Sequence, residues 1–227
     1  AQSKADINFE SNMAFAKKHS KLYGLKYQEL SQQEIKEKYG EKFTVAAGFV
    51  DENNNLVINK EQAQKQMFGD YVGNHELLHG IIKASGAKIK QSTINNFFKL
   101  IGKDNAALLQ KKINENKDVY TDEYLAKNRD EYFTIFSDLL ADAKKAKQQG
   151  REYVQLDTNV ITQIKDWVRR LLADLGFANV DFETAEGALN FLKDYNKSIH
   201  KGALSRGVIK ATKGKADMTG GTVMSVS

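Results

Sequence analysis

The chain has 227 residues, no cysteine, no proline and a net charge of +5. That length holds one large domain, or a domain with an extension, and 41% apolar residues suffice for a packed core. Disulfides and thiolate metal sites are excluded, turns must be built from Gly, Asn, Asp and Ser, and no apolar run reaches the roughly 18 residues of a membrane span.

In chain order, residues 9–23 place Phe9, Met13, Phe15, Ala16 and Tyr23 at helical spacing. Ser31-Gln32-Gln33-Glu34 is a capping-box pattern that opens a short helix ending at Gly40. Two β-prone runs, 43–50 and 56–59, flank the turn Asp51-Glu52-Asn53-Asn54-Asn55 and predict a hairpin or meander. An exposed sheet edge at this place would hold an extended peptide by main-chain hydrogen bonds. A helix follows over 67–85, with Gly86 as its stop. Residues 93–114 read as helical, and Asn128 is expected as the N-cap of a helix carrying Tyr132, Phe133, Ile135, Phe136, Leu139 and Leu140. An amphipathic helix around Trp167 spans 160–175, and another, burying Ala188, Leu189, Phe191 and Leu192, reaches Tyr195. The Gly-, Lys- and Ser-rich run after Gly202 has too little apolar content to bury itself and is expected to be mobile or held by a partner.

The chemistry is concentrated in His75-Glu76-Leu77-Leu78-His79. Histidines four apart on a helix share a face, so both imidazoles reach one metal ion, and Glu76 is placed to take a proton from a water on that metal. A catalytic zinc site needs a third protein ligand. His19 and His200 lie in lysine-flanked helices expected to be exposed, so a carboxylate is the better choice. Glu131, at the start of a strongly apolar helix, is the first candidate, with Glu123, Asp130 and Asp138 as competitors.

The pentapeptide, followed by Tyr124, Asn128, Glu131, Tyr132 and Phe133, resembles the catalytic domain of anthrax lethal factor and the related Pro-Pro endopeptidases, zinc metallopeptidases of the gluzincin type. The resemblance covers residues 40–145. It departs at Ile81, where the family has a small residue, and in a longer gap between the histidines and the glutamate. It implies that His75, His79 and Glu131 bind Zn2+, that Glu76 is the general base and that Tyr124 stabilises the oxyanion. A looser resemblance links 164–172, Gly176-Phe177 and 191–194 to large phage structural polypeptides, some of which carry zincin-like domains and are cut into pieces.

The expected architecture is a mostly helical α+β zincin-like fold with a small β-sheet and a helical C-terminal extension. Its parts are a metallopeptidase domain over 1–150, a helical extension over 151–202 and a basic tail over 203–227. The expected activity is zinc-dependent peptide-bond hydrolysis on a peptide or protein substrate; the alternative is a packaged or ejected virion structural protein that contacts other virion proteins. The start at Ala1 rather than Met fits a processed piece, and a secreted or virion-associated location is favoured over a cytoplasmic one. From Asn196 onward six basic residues face one acid, so a nucleic-acid contact by the tail is a third expectation, though without an aromatic platform there.

Overall fold

The computed structural model describes residues 4–66, 68–213 and 223–225, and these form a mostly helical α+β protein with a small sheet. The chain divides into two compact units, Ala1–Ala84 with Ala216–Ser227, and Ser85–Lys215. The division thus falls after Ala84, whereas Gly150, where the sequence suggests a boundary, lies within the second unit.

The first unit begins with α1 (Lys4–Ser20), β1 (Lys26–Leu30) and α2 (Gln32–Tyr39), and continues with β2 (Gly48–Val50), β3 (Asn55–Asn59), the short α3 (Lys60–Ala63) and α4 (Val72–Ala84). The capping box at Ser31 forms as read: the Glu34 amide donates to Ser31 Oγ at 3.2 Å and the Ser31 amide donates to Glu34 Oε2 at 2.8 Å. β2 and β3 pair antiparallel, as the hairpin reading expects. Their turn is fixed by Asp51, whose Oδ1 accepts from the amides of Asn53 and Asn55 at 2.8 and 2.9 Å.

Two strands join this hairpin from elsewhere in the chain. β1 pairs parallel with β3, and β4 (Val223–Ser225) pairs antiparallel with the other side of β2, giving the order β1-β3-β2-β4. Central position buries every residue of β3. Alternation along the strands then sorts the contacts. Phe49 and Val57 pack with Ile35 of α2, closed over by Tyr39 and Phe43. Gly48, one residue out of phase with Phe49, faces α4.

Helix α4 is buried around almost its whole circumference, from Val72 to Ile82. Its glycines make that possible. A Cβ on Gly73 would come within 2.8 Å of Met13 on α1, and one on Gly80 within 2.5 Å of Leu25. Helix α1 therefore lies directly on the backbone of the H-E-x-x-H helix, with the stability that close packing brings.

The second unit contains α5 (Gln91–Leu100), α6 (Lys103–Glu115), α7 (Asp122–Lys127), α8 (Glu131–Gln148), α9 (Val160–Asp174), α10 (Ala185–Lys201) and α11 (Arg206–Thr212). Its core is aromatic: Phe97 of α5 meets Phe133 and Phe136 of α8 edge-on, at centroid distances of 5.0 and 5.3 Å. The helix read over 93–114 is two helices, because Gly102 takes φ +86° between α5 and α6. The tail expectation is also corrected in part. Leu204 and Val208 are buried and α11 packs on α9, so 204–213 is folded; beyond it, 214–222 and 226–227 lie outside the described residues. Among the described residues no helix is long and apolar enough to cross a membrane.

Candidate metal centre

Helix α4 carries His75, Glu76 and His79, all buried. One helical turn separates the imidazoles, and their Nε2 atoms stand 3.2 Å apart. Two nitrogens each about 2.05 Å from a tetrahedral zinc would be roughly 3.3 Å apart, so the spacing fits a shared ion. Glu76, fully buried, is admitted by the strand beside it. A Cβ on Gly48 would lie 3.1 Å from Glu76 Cγ and 2.8 Å from Val72 Cγ2, so glycine is the residue that lets β2 approach the carboxylate side chain this closely.

The second set of residues comes from the turn between α7 and α8. Thr121 caps α7 through its hydroxyl, and α7 ends at Asn128, whose amide bonds to the Tyr124 carbonyl at 2.9 Å. Asn128 is therefore the C-cap of α7 and not the N-cap of α8; its Nδ2 also donates to the Tyr124 carbonyl, at 3.0 Å. The chain then turns back within three residues, and Glu131 opens α8 completely buried. Its carboxylate is held from both sides. Tyr124 Oη donates to Oε1 at 2.8 Å and Thr134 Oγ1 donates to Oε2 at 3.1 Å. Burial first, and then the Glu131 carboxylate, push the Tyr124 phenol far above its ordinary range, so it stays protonated and acts as a donor.

Ligand atoms of His75, His79 and Glu131 all lie within 4.8 Å of one another. This buried His-His-Glu triad is able to hold a metal ion, and its donor set of two imidazoles and one carboxylate is one that zinc accepts with a position left open. Of the competing carboxylates, Glu123 is exposed and pairs with Lys127 at 3.1 Å, while Asp130 and Asp138 are not part of the cluster. His200 is exposed as expected, but His19 is buried, its Nδ1 2.8 Å from the Phe15 carbonyl. The lysines that precede it, Lys17 and Lys18, are exposed, because successive residues turn about 100° around α1.

Thr134 is the residue that sequence reasoning missed. Its hydroxyl bonds both the Glu131 carbonyl and the Glu131 carboxylate, each at 3.1 Å, which fixes the side chain relative to the first turn of its own helix. A threonine three residues after a glutamate in a helix is the only available signal, and it is a weak one.

No protein-family model, curated protein or solved structure matches the chain.

Proposed function

We propose that the protein is a zinc-dependent endopeptidase. The observation that carries this reading is the buried cluster of His75, His79 and Glu131 with Glu76 on the same helix as the two histidines. A buried carboxylate beside two imidazoles is costly to desolvate and is rarely kept without an ion or hydrogen bonds to offset it. Zinc, when held by these three side chains, supplies Lewis acidity and an acidified water. Glu76 accepts the proton of the attacking water through its carboxylate and returns it to the leaving nitrogen as the peptide C–N bond breaks. Tyr124 presents a protonated hydroxyl, and Thr134 keeps the Glu131 carboxylate in one orientation.

A peptide substrate is favoured by the sheet. The outer side of β2, whose Gly48 lies against Glu76, accepts an extended strand, and Val223–Ser225 pairs there antiparallel. β4 also lies against α4. A tethered segment competes at an effective concentration of about millimolar, so vacating the edge should lower the apparent KM for a peptide about tenfold. Proline at Val223 and Ser225 together, or at Met224 alone, tests this, since inward-facing amide donors alternate along a strand. One of the two variants should show the lower KM at constant kcat; an unchanged KM in both would remove this edge from the substrate's path.

The reading itself is tested on the purified chain by zinc content and by cleavage of an unfolded protein, followed by mass spectrometry. The expected result is about one zinc per chain, cleavage that stops with a chelator and cleavage that returns with added zinc. Absence of zinc under these conditions overturns the proposal. Tyr124→Phe should retain zinc and lower kcat by about 10²–10³, the usual cost of an oxyanion donor. A fall in zinc affinity with little change in kcat would instead assign Tyr124 to positioning Glu131.

A second reading, a virion structural component, draws on the exposed apolar face of α9. It predicts assembly with other chains and requires neither zinc nor cleavage.

A further inference from the structure

Helix α9 has one polar and one apolar side, and the apolar side faces solvent. Ile161, Ile164, Val168, Leu171 and Leu175 follow one another at intervals of three and four residues, the spacing of a helix-pairing seam. Their exposures run from 40% to 67%, and Trp167, Leu172 and Phe177 beside them are 59%, 46% and 68% exposed. The polar side is already engaged. Arg169 forms a two-pronged pair with Asp194 of α10 at 2.7 and 2.8 Å, Lys193 reaches Asp166 at 2.8 Å, and Lys201 reaches Asp174 at 3.0 Å. Those bonds fix the rotation of α9 about its axis, so its apolar side is held outward.

The exposed side chains together present on the order of 800 Å² of apolar surface, against about 300–600 Å² for the largest patch of an ordinary monomer. One partner in a standard interface contributes about 800 Å². We infer that this face is a homodimer interface, in which α9 of one copy pairs antiparallel with α9 of a second copy. The symmetry of the seam favours a second copy. The seam is self-complementary under a twofold axis. Set antiparallel about a point between Arg169 and Arg170, Val168 meets Leu171 of the second copy, Ile164 meets Leu175, and each contact recurs by symmetry. The twofold axis keeps each flank of the seam facing the same flank of the second copy, so the two Trp167 side chains come together on one flank and the two Leu172 side chains on the other. The main alternative surface, an anionic membrane, calls for a surplus of lysine and arginine beside the apolar stripe. Here Arg169 and Lys193 are bound to Asp166 and Asp194, and α9 itself carries three basic residues against two acidic ones, a surplus of one.

The experiment is sedimentation equilibrium of the full chain, with tryptophan emission recorded over the same concentrations. Trp167 is the only tryptophan, so its emission reports this face alone. The expected result is a dimer at micromolar concentration, a blue shift of emission as the dimer forms, and a dissociation constant raised about 30-fold or more by Ile164→Glu. Ile161→Glu, at a position 67% exposed, serves as the second variant should the first perturb folding, checked by circular dichroism. A chain that stays monomeric up to about 100 μM, with constant emission, overturns the inference. So does a dimer that both variants leave intact, which would lie on another surface. A monomer whose emission shifts only on adding vesicles with anionic lipid also overturns it, and assigns the face to a membrane.

Discussion

Glu76→Gln is expected to leave zinc binding at one ion per chain while lowering kcat by about 10³–10⁴, the upper range for loss of a general base. The substitution keeps the shape of a fully buried side chain packed beside Gly48, so the fold has no reason to rearrange. It removes only the ability to accept a proton near neutral pH. Zinc content by elemental analysis, thermal unfolding and kcat/KM on one peptide separate the possibilities. Unchanged zinc, a melting temperature within a few degrees of the parent and lost activity assign the proton transfer to Glu76. Activity within tenfold of the parent would take Glu76 out of the reaction, whatever the metal does. Gly48→Ala is the complementary perturbation: its added methyl would press on Val72 and Glu76 without changing any titratable group.

What the sequence shows of this site follows from how local each feature is. The pairing of His75 with His79 is set by helical periodicity over five residues, and so it is readable without tertiary information. Glu131 is readable as a carboxylate in the first turn of a strongly apolar helix, where burial needs a ligand or a partner, while its link to Tyr124 comes only from the resemblance. The interval between the two, a helix end, a three-residue turn and a helix start, hides the cap assignment. Asn128 has the chemistry of an N-cap, yet its carbonyl already receives the Glu131 amide at 3.2 Å and its own amide closes α7, so it ends one helix and does not start the next. His19 is misjudged for a similar reason: the lysines before it occupy other directions around the helix.

Non-local features are the ones the sequence hides. β1 reads Lys-Tyr-Gln-Glu-Leu, with little β-branched character, and exists because β3 offers it a parallel partner 29 residues later. β4 depends in the same way on an open edge of β2. Residues 204–213 look too polar to fold alone, but Leu204 and Val208 need only a surface to bury against, and α9 provides one. The α9 stripe itself is plain in the sequence. Its exposure is not, because amphipathic spacing gives the width of an apolar face and not what covers it.

Glu131→Ala should cost the protein its zinc. Four-ligand structural zinc sites bind with about 10–16 kcal/mol, so losing one ligand is worth roughly 3 kcal/mol, or at least about 10² in affinity. Alanine also leaves a cavity and removes the carboxylate that accepts from Tyr124 and Thr134, so a loss of zinc alone would not separate ligation from collapse. Glu131→Gln separates them. Its carbonyl still accepts from Tyr124 and the side-chain volume is unchanged, but the negative charge and one of the two acceptor oxygens are gone. The expected outcome is a parent-like circular dichroism spectrum with zinc affinity reduced nearly as far as in the alanine variant. His75→Ala should fall in the same class. Thr134→Ala, which removes one hydrogen bond that holds the carboxylate and none of the three ligand side chains, should weaken zinc only about 10–100-fold. That graded order, measured by competition with a chelating dye, is what a three-ligand centre requires. If Glu131→Gln holds zinc as tightly as the parent, Glu131 is a hydrogen-bonded core carboxylate, and the ion, if there is one, is held by other groups.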